Sequence, residues 1–266
     1  MMKAADYASW SPEDVRKIIR TGEWSLPTPG MCKGYAQANL VMLPKELAFD
    51  FLVFAQRNPK PCPVLDVTEP GNPEPKLVAP GADLTTDIPR YRVWKDGVCV
   101  DEPTDVKKYW RDDMVAFLLG CSFTFESALL DARIPVRHIE CNCNVPMYIT
   151  NIQCTPAGKL RGPIVVSMRP IPHHQVVKAA LATGRFPAVH GAPIHIGDPA
   201  AIGIRDVMKP DMGDPVPINE GEVPVFWACG CTPQAALMDC KPPFAITHAP
   251  GHMFITSVKD SDYAVF

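Results

Sequence analysis

The sequence predicts an α/β fold built around a mixed, partly parallel sheet. Segments typical of strands alternate with segments typical of helices, most clearly toward the C-terminus. The 30 prolines are spread along the chain instead of clustered, which is typical of ordered loops between such segments. With 266 residues, 47% of them hydrophobic, the chain can bury a large core as one domain or two unequal ones.

The N-terminal part predicts two helices and a hairpin. "SPEDVRKIIRTGEW" has Ser11 as N-cap and Pro12 in its first turn, and "LPKELAFDFLVFAQRNP" forms a second helix that stops at its "NP". Residues 69–90 form a long loop with at most a short strand. In "YRVWKDGVCV", Asp96 and Gly97 supply the turn of a hairpin.

The middle of the chain predicts helices around a pair of strands. "DDMVAFLLG" is interpreted as an apolar helix that ends at Gly120, and "SFTFESALLDAR" begins a new helix with Ser122 as N-cap. "VPMYITNI" and "GPIVVSMRP" predict strands, and "PHHQVVKAALATG" predicts a helix. This β-β-α order suggests that residues 141–184 form a nested α+β subdomain within a discontinuous main domain of residues 1–140 and 185–266.

The last third repeats one pattern, in which a strand is followed by a proline that opens a helical turn. "APIHIG" leads into "DPAA", and "VPVFWACG" leads into "CTPQ". "FAITHAPGHMFITS" predicts a strand, a tight Pro-Gly turn and another strand.

Composition excludes several classes of function. The net charge of −3 provides no basic field for a polyanion, so we expect no nucleic-acid partner. "MMKAADYASW" lacks the apolar core of a secretory signal, and "MVAFLLGCSFTFESALL" is short for a bilayer span, so we expect a soluble cytoplasmic protein without a membrane partner. The 10 cysteines are then reduced, and the absence of paired C-x-x-C units disfavours a zinc ribbon.

Three turns before predicted helices are candidate sites: "GCSFTFE", "IGDP" and "ACGCTPQ". The start of a helix offers free backbone N–H groups and partial positive charge, which suit a carboxylate. Each turn also carries a glycine and polar side chains, namely Cys121 and Ser122, Asp198, or Cys229 and Thr232. Any one of them alone is more simply ordinary turn chemistry, but three in one chain favour a site.

Several titratable side chains near these turns have a chemical and a structural interpretation. Cys121 and Cys229 lie where a helix start lowers a thiol pKa, although free cysteines are more often small buried residues. Glu126 is a candidate general acid with a raised pKa, or else a capping partner for the Ser122 end of its helix. Arg169 and Arg92 could clamp a carboxylate, although a salt bridge to a nearby acidic residue is the commoner arrangement.

The seven histidines divide into three groups. His190 and His195 flank a turn in "HGAPIHIG", and the other three upstream histidines are expected on helix surfaces: His138, His173 and His174. In "THAPGHMFIT", His248 and His252 have the i, i+4 spacing of a helical metal pair, but the Pro-Gly between them opposes a helix. A turn that directs both imidazoles into one cleft is the preferred interpretation.

These strings together resemble the bacterial hydro-lyase family, also called the D-glutamate cyclase family. The resemblance runs nearly end to end and rests on these strings: "GYAQANLVMLP", "NPKPCPVLDVTE", "DLTTDIPRYRVW", "AFLLGCSFTFESAL", "VVSMRP", "HGAPIHIGDPAAIGI", "VPVFWACGCTPQ" and "ITHAPGHMFIT". It implies a three-layer α/β/α sandwich with a smaller two-layer α+β subdomain. It also implies a lyase of glutamate metabolism that converts D-glutamate to 5-oxo-D-proline with loss of water.

Two positions depart from the family pattern. Cys231 stands where the family has Val, which makes Cys229 the better thiol candidate, and Ser257 stands where an acidic residue is expected.

The resemblance, combined with the chemistry of cyclisation, suggests roles for the candidate residues. The expected partner is a small carboxylate or amino-acid substrate. The sequence leaves open a divalent cation such as manganese as a cofactor, and it leaves open assembly into a homodimer. The catalytic candidates are His248, His252 and His195 as bases, Glu126 and Asp198 as acids, and Cys121 and Cys229 as thiols. The substrate-binding candidates are Arg169, Arg92, Ser122, Gly230, Thr232 and Asn39.

Two other functions stay open. A cysteine-dependent racemase or epimerase of acidic amino acids would use one thiol on each side of the substrate. A non-catalytic binder of small carboxylates would use the same helix starts without turnover.

Overall fold

A computed structural model describes residues 3–265 as eleven strands and six α-helices. The strands are β1 (Tyr35–Pro44), β2 (Val64–Val67), β3 (Tyr91–Lys95), β4 (Val98–Asp101), β5 (Met114–Gly120), β6 (Met147–Gln153), β7 (Pro163–Pro172), β8 (His195–Ile196), β9 (Glu222–Ala228), β10 (Ala245–His248) and β11 (Phe254–Lys259). The helices are α1 (Pro12–Arg20), α2 (Lys45–Arg57), α3 (Phe123–Asp131), α4 (Arg137–Glu140), α5 (Val176–Gly184) and α6 (Thr232–Cys240). The α/β class is thereby confirmed.

The strands form two sheets, and every strand pair within residues 3–265 is antiparallel. The larger sheet has the order β2-β5-β1-β10-β3-β4, with β11 also on β1, and the smaller has the order β6-β7-β9-β8. The sheet therefore differs from the partly parallel one expected. The reason is the connectivity: α3 and α6 each carry the chain from one sheet to the other instead of back to a parallel neighbour.

Side chains alternate along the strands, so each sheet has two faces against which other elements can pack. On the larger sheet, the loop that follows β2 packs on one face, through Val78 and Leu84, whereas α2 and α6 cover the other, through Phe54 and Leu237. On the smaller sheet, α3 and α5 pack against Trp227 and its neighbours. The helices α3 and α6 therefore start in the buried space between the two sheets.

The helix and hairpin predictions in the N-terminal part are confirmed, but the helix predicted in "DDMVAFLLG" is wrong. Ser11 accepts a hydrogen bond from the Asp14 backbone N–H, as an N-cap does. Residues 114–120 form β5, in which all seven residues are buried. A strand buried on both faces has a continuous apolar run, which periodicity cannot separate from a buried helix.

The two strands of "FAITHAPGHMFITS" do not pair with each other as a hairpin. Both pair with the same side of β1, where Val41 is opposite Thr247 and Ala38 is opposite Phe254. They therefore form one interrupted strand, and residues 249–253 bulge out of it.

The predicted division into two domains stays a prediction. The sheet that contains β6 and β7 from residues 141–184 continues into β9 and β8 outside that range. Among residues 3–265, no helix is both long enough and apolar enough to cross a membrane.

Candidate active site between two elbows

Two strand-to-helix connections meet between the sheets. The first elbow (residues 120–123) leads from β5 into α3, and the second elbow (residues 228–232) leads from β9 into α6. Neither helix has a side-chain cap at its N-terminus. The prediction that Ser122 caps α3 is wrong, because its hydroxyl instead accepts a hydrogen bond from Arg169 Nη2 at 3.1 Å.

Asn39 on β1 links the two elbows. Its amide nitrogen donates to the Gly120 carbonyl at 2.6 Å, and a Cβ placed on Gly230 would collide with the same amide. Both elbows therefore need glycine because another part of the chain approaches the backbone closely. This contact brings together three of the candidate regions that lie far apart in the sequence.

A buried charged cluster lies beside the first elbow. Arg169 donates from Nε and Nη2 to Glu126 Oε1, and from Nη1 to the Ser167 hydroxyl at 3.0 Å. His138 Nε2 lies 3.2 Å from the same Glu126 oxygen. The guanidinium also lies over the Phe125 ring at 5.2 Å. Arg169 is therefore held mainly by a salt bridge to Glu126. Its Nε, Nη1 and Nη2 are engaged within the protein, so the guanidinium is not arranged to bind a carboxylate ligand bidentately.

The pKa of Glu126 contradicts its predicted role as a general acid with a raised pKa. Burial of the carboxyl raises the pKa, but His138 and Arg169 outweigh burial and hold it at about 2. Glu126 is therefore a carboxylate at neutral pH and can accept hydrogen bonds but not donate a proton.

The two candidate thiols differ in acidity. Burial raises the pKa of Cys121, although the Phe123 backbone N–H opposes it. A hydrogen bond from the Cys231 thiol lowers the pKa of Cys229, and Arg169 acts in the same direction against burial. Cys229 is thus the more acidic thiol of the two elbows.

The side chains of the second elbow hold it in place. The Thr232 hydroxyl donates to the Cys229 carbonyl at 2.8 Å and accepts from the Val165 backbone N–H at 3.0 Å. Its oxygen is therefore engaged, so a ligand at this helix start would meet backbone N–H groups.

His248 is the last residue of β10, directly before the interruption at residues 249–253. Its Nδ1 lies 3.1 Å from the Leu40 backbone nitrogen and 3.4 Å from the Leu40 carbonyl oxygen, and burial lowers its pKa to about 4. The shorter contact is the one in which Nδ1 accepts from the Leu40 N–H. A neutral ring that accepts at Nδ1 carries its proton on Nε2. His248 therefore offers a hydrogen-bond donor in this arrangement, in contrast to the base expected from the sequence.

Four candidates lie outside this buried group. His195 Nε2 lies 2.7 Å from the Asp198 carbonyl oxygen, and the Asp198 carboxylate accepts from the Ala200 backbone N–H at 2.9 Å. Arg92 donates to Glu102 at 2.7 Å. His252 Nδ1 lies 2.9 Å from the Pro250 carbonyl oxygen. Arg92 and His252 still lower the pKa of His248 electrostatically, so they border the site.

Sequence reasoning missed three buried residues near the elbows, namely His138, Ser167 and His190. His138 was expected on a helix surface but is only 3% exposed and pairs with Glu126. Ser167 carried no recognisable signal, and His190 was noted only because it flanks a turn. Nothing in the local sequence around His138 or Ser167 identifies these contacts, since each depends on a partner from a distant element.

Within residues 3–265, no group of three or more His, Cys, Asp or Glu is placed to hold a metal ion.

Comparison with known proteins identifies the family. A family model described as D-glutamate cyclase matches residues 115–257. A Geobacillus kaustophilus protein named "Putative hydro-lyase" is 65% identical over 258 residues, 97% of this chain and 98% of that protein. A Psychrobacter arcticus protein of the same name is 61% identical over 260 residues, 98% of this chain and 99% of that protein.

Among solved structures, a nitrogen repressor-like protein from Methanococcus jannaschii covers 82% of this chain and 86% of its own, with 10% identity and a TM-score of 0.38. That score is too low to establish a shared fold. The matched segment of the family model contains both elbows and the charged cluster, and the relatives match almost the whole chain. The chain therefore belongs to the D-glutamate cyclase family.

Proposed function

We propose that this protein cyclises D-glutamate to 5-oxo-D-proline with loss of water, between the two elbows. The observation that carries the proposal is the meeting, across Asn39, of two helix N-termini without side-chain caps, both of which lie in the segment that the family model matches. Helix N-termini attract carboxylates through their free N–H groups and partial positive charge. D-Glutamate has two carboxylates, and we assign one helix start to each.

The reaction forms a bond between the α-amino nitrogen and the γ-carboxyl carbon. It requires that the substrate be folded so that these atoms meet, that protons leave the ammonium, and that the departing oxygen receive them. We assign His248 the role of hydrogen-bond donor, because a ring that accepts the Leu40 N–H at Nδ1 carries its proton on Nε2. Glu126, as a carboxylate, keeps Arg169 and His138 fixed beside the first elbow instead of supplying a proton.

No step is assigned to a metal, because no group of three or more His, Cys, Asp or Glu among residues 3–265 is placed to hold one. The cytoplasm as the place of action and the homodimer also stay predictions.

The cysteines support one second candidate, a racemase or epimerase of acidic amino acids. Cys121 and Cys229 lie on opposite elbows, close enough that the charge of Cys229 raises the pKa of Cys121. Two-sided proton transfer would use one thiol on each face of the substrate. Replacing each cysteine by serine separates the functions, because cyclisation tolerates at least one of these changes, whereas racemisation tolerates neither.

Incubation of the purified protein with D-glutamate and with L-glutamate, with and without manganese, tests the proposal. Chiral chromatography with mass detection then follows 5-oxoproline, which is lighter than glutamate by one water. We expect 5-oxo-D-proline from D-glutamate in excess over an enzyme-free control. Interconversion of the glutamate enantiomers would instead support the racemase, and binding without either product would support a carboxylate-binding protein.

A further inference from the structure

His190 combines a strained backbone with complete burial. It has φ 82° and ψ −20°, in the left-handed region, and its side chain is 1% exposed. A residue other than glycine in such a conformation is strained and is held there by its surroundings. Such residues cluster at functional sites.

The hydrogen bonds of the ring fix its tautomer. His190 Nδ1 lies 2.8 Å from the Lys60 carbonyl oxygen, which can only accept a hydrogen bond. The proton is therefore on Nδ1, and Nε2 of the neutral ring carries a lone pair. Burial lowers the pKa of His190 to about 4, so the ring is neutral at pH 7.

That lone pair has no partner. Nε2 is buried and accepts no hydrogen bond from any of residues 3–265. A buried polar atom left unsatisfied destabilises the folded protein, and native proteins carry few of them. The strained backbone and the unsatisfied nitrogen are separate observations, and both are explained if Nε2 meets a ligand.

The position of His190 places it at the first elbow. The two preceding residues, Ala188 and Val189, lie directly on Gly120, where an added Cβ would collide with the Ala188 carbonyl oxygen. Arg169 also acts electrostatically on the ring. His190 therefore lies beside the first elbow, whose Gly120 carbonyl is also the acceptor for Asn39.

We propose that Nε2 of His190 is the base that moves protons in the cyclisation. This inference rests on the proposed function, and it replaces the histidines that the sequence favoured for this role.

The proton balance needs one base that acts twice. Nε2 first takes a proton from the α-ammonium, and the amine then attacks the γ-carboxyl carbon to form the C–N bond. The imidazolium returns that proton to one γ-oxygen and is again a neutral base. Nε2 then takes the second proton from the nitrogen of the new five-membered ring and delivers it to the same γ-oxygen as the C–O bond breaks. The products are 5-oxo-D-proline and one water, and no oxidant, reductant or other co-reactant takes part.

The other histidines near the site are less suited to this role. His248 Nδ1 is occupied by the Leu40 N–H, and its Nε2 carries the proton. His138 faces the Glu126 carboxylate at 3.2 Å.

The test compares His190→Asn with the wild type. Asparagine tolerates the left-handed backbone and its amide can still donate to the Lys60 carbonyl, but it lacks a basic nitrogen. We expect kcat for D-glutamate to fall by about 100-fold or more, as for loss of a general base, with thermal unfolding within a few degrees of the wild type. The exposed His174→Asn is the matched control and should keep wild-type activity.

A second measurement covers a variant that fails to fold. In wild-type protein with ¹⁵N-labelled histidine, 5-oxo-D-proline should shift the His190 Nε2 resonance, assigned by its absence in His190→Gln. An unshifted resonance at saturating ligand, or wild-type kcat in His190→Asn, would overturn the assignment of the base alone. A wild-type protein that makes no 5-oxo-D-proline overturns the proposed function and this inference together.

Discussion

The two elbows share a glycine, a cysteine and the start of a nine-residue helix, yet they hold their thiols in opposite electrostatic states. The pKa of Cys121 is raised and that of Cys229 is lowered. Both cysteines are buried and each receives a backbone N–H from two residues further on, so the helix start does not explain the difference. The difference comes from the neighbouring side chains: the Cys231 thiol lowers the pKa of Cys229, whereas the charge of Cys229 adds to burial in raising the pKa of Cys121.

The elbows also differ in what holds them. The first elbow is packed against backbone at Ala188 and is flanked by the charged cluster of Arg169, Glu126 and His138. The second elbow is packed against the Asn39 side chain and is held by neutral hydroxyl and thiol groups. Substitutions at or beside the first elbow should therefore lower the free energy of unfolding more than substitutions at the second elbow.

The largest effect is expected from Glu126→Ala, which removes the carboxylate from the charged cluster. Arg169 and His138 would then be buried without their partner, and breaking a buried ion pair in this way destabilises by about 3–5 kcal/mol. Urea denaturation gives the free energy of unfolding. Asp239→Asn is the control, because its exposed pair with Arg161 contributes only about 0–1 kcal/mol. Equal losses in the two variants would contradict the comparison.

The charged cluster should also make stability depend on pH. The folded pKa of Glu126 is about 2, below its ordinary value of 4.5, so its contribution is complete above pH 4.5 and is lost as pH falls towards 2. The shift corresponds to about 3 kcal/mol. Urea denaturation at pH 7, 4.5 and 3 gives the free energies of unfolding of wild type and Glu126→Gln. Wild type should be the more stable at pH 7 and 4.5, and the difference should shrink at pH 3. A gap that stays constant with pH would show that Glu126 is not ionised in the fold.

An intermediate effect is expected from adding a methyl group to each elbow glycine. In Gly120→Ala the new Cβ meets the Ala188 backbone, which cannot rotate away, so we expect a loss at or above the upper end of the roughly 1–3 kcal/mol seen for overpacking. In Gly230→Ala it meets the Asn39 amide, which can move if it gives up its bond to the Gly120 carbonyl.

Double variants separate the two cases. Asn39→Ala should recover part of the stability lost in Gly230→Ala but none of that lost in Gly120→Ala, as measured by thermal and urea unfolding. Equal recovery in both backgrounds would show that the elbows are packed alike.

The sequence identified both elbows because the residues that mark each turn are neighbours in the chain. Proline after Thr232 marks the first turn of α6, and "GCS" marks the turn before α3. The strand β5 was missed because burial on both faces removes the alternation that identifies a strand. His138 and His190 were undervalued because their roles come from Glu126 and from the Lys60 carbonyl, far away in sequence.

The smallest effect is expected at the second elbow from Cys231→Val, which restores the residue that the family pattern predicts. Removing the thiol donor should raise the pKa of Cys229 and change the free energy of unfolding little, because valine fills a buried apolar site beside Met147. Cyclase activity should persist, since no step of the proposed reaction uses Cys231.

The measurement is the pH dependence of Cys229 alkylation by iodoacetamide, mapped by peptide mass spectrometry. The exposed Cys99 thiol in the same sample is the internal reference, and its rate should be unchanged by the substitution. Because the thiolate is the reactive form, the Cys229 profile should move to higher pH in Cys231→Val. An unmoved profile would mean that the helix start or Arg169 sets the acidity of Cys229. The contrast with Cys121 would then lie in how far each thiol stands from Arg169 and not in the Cys231 donor.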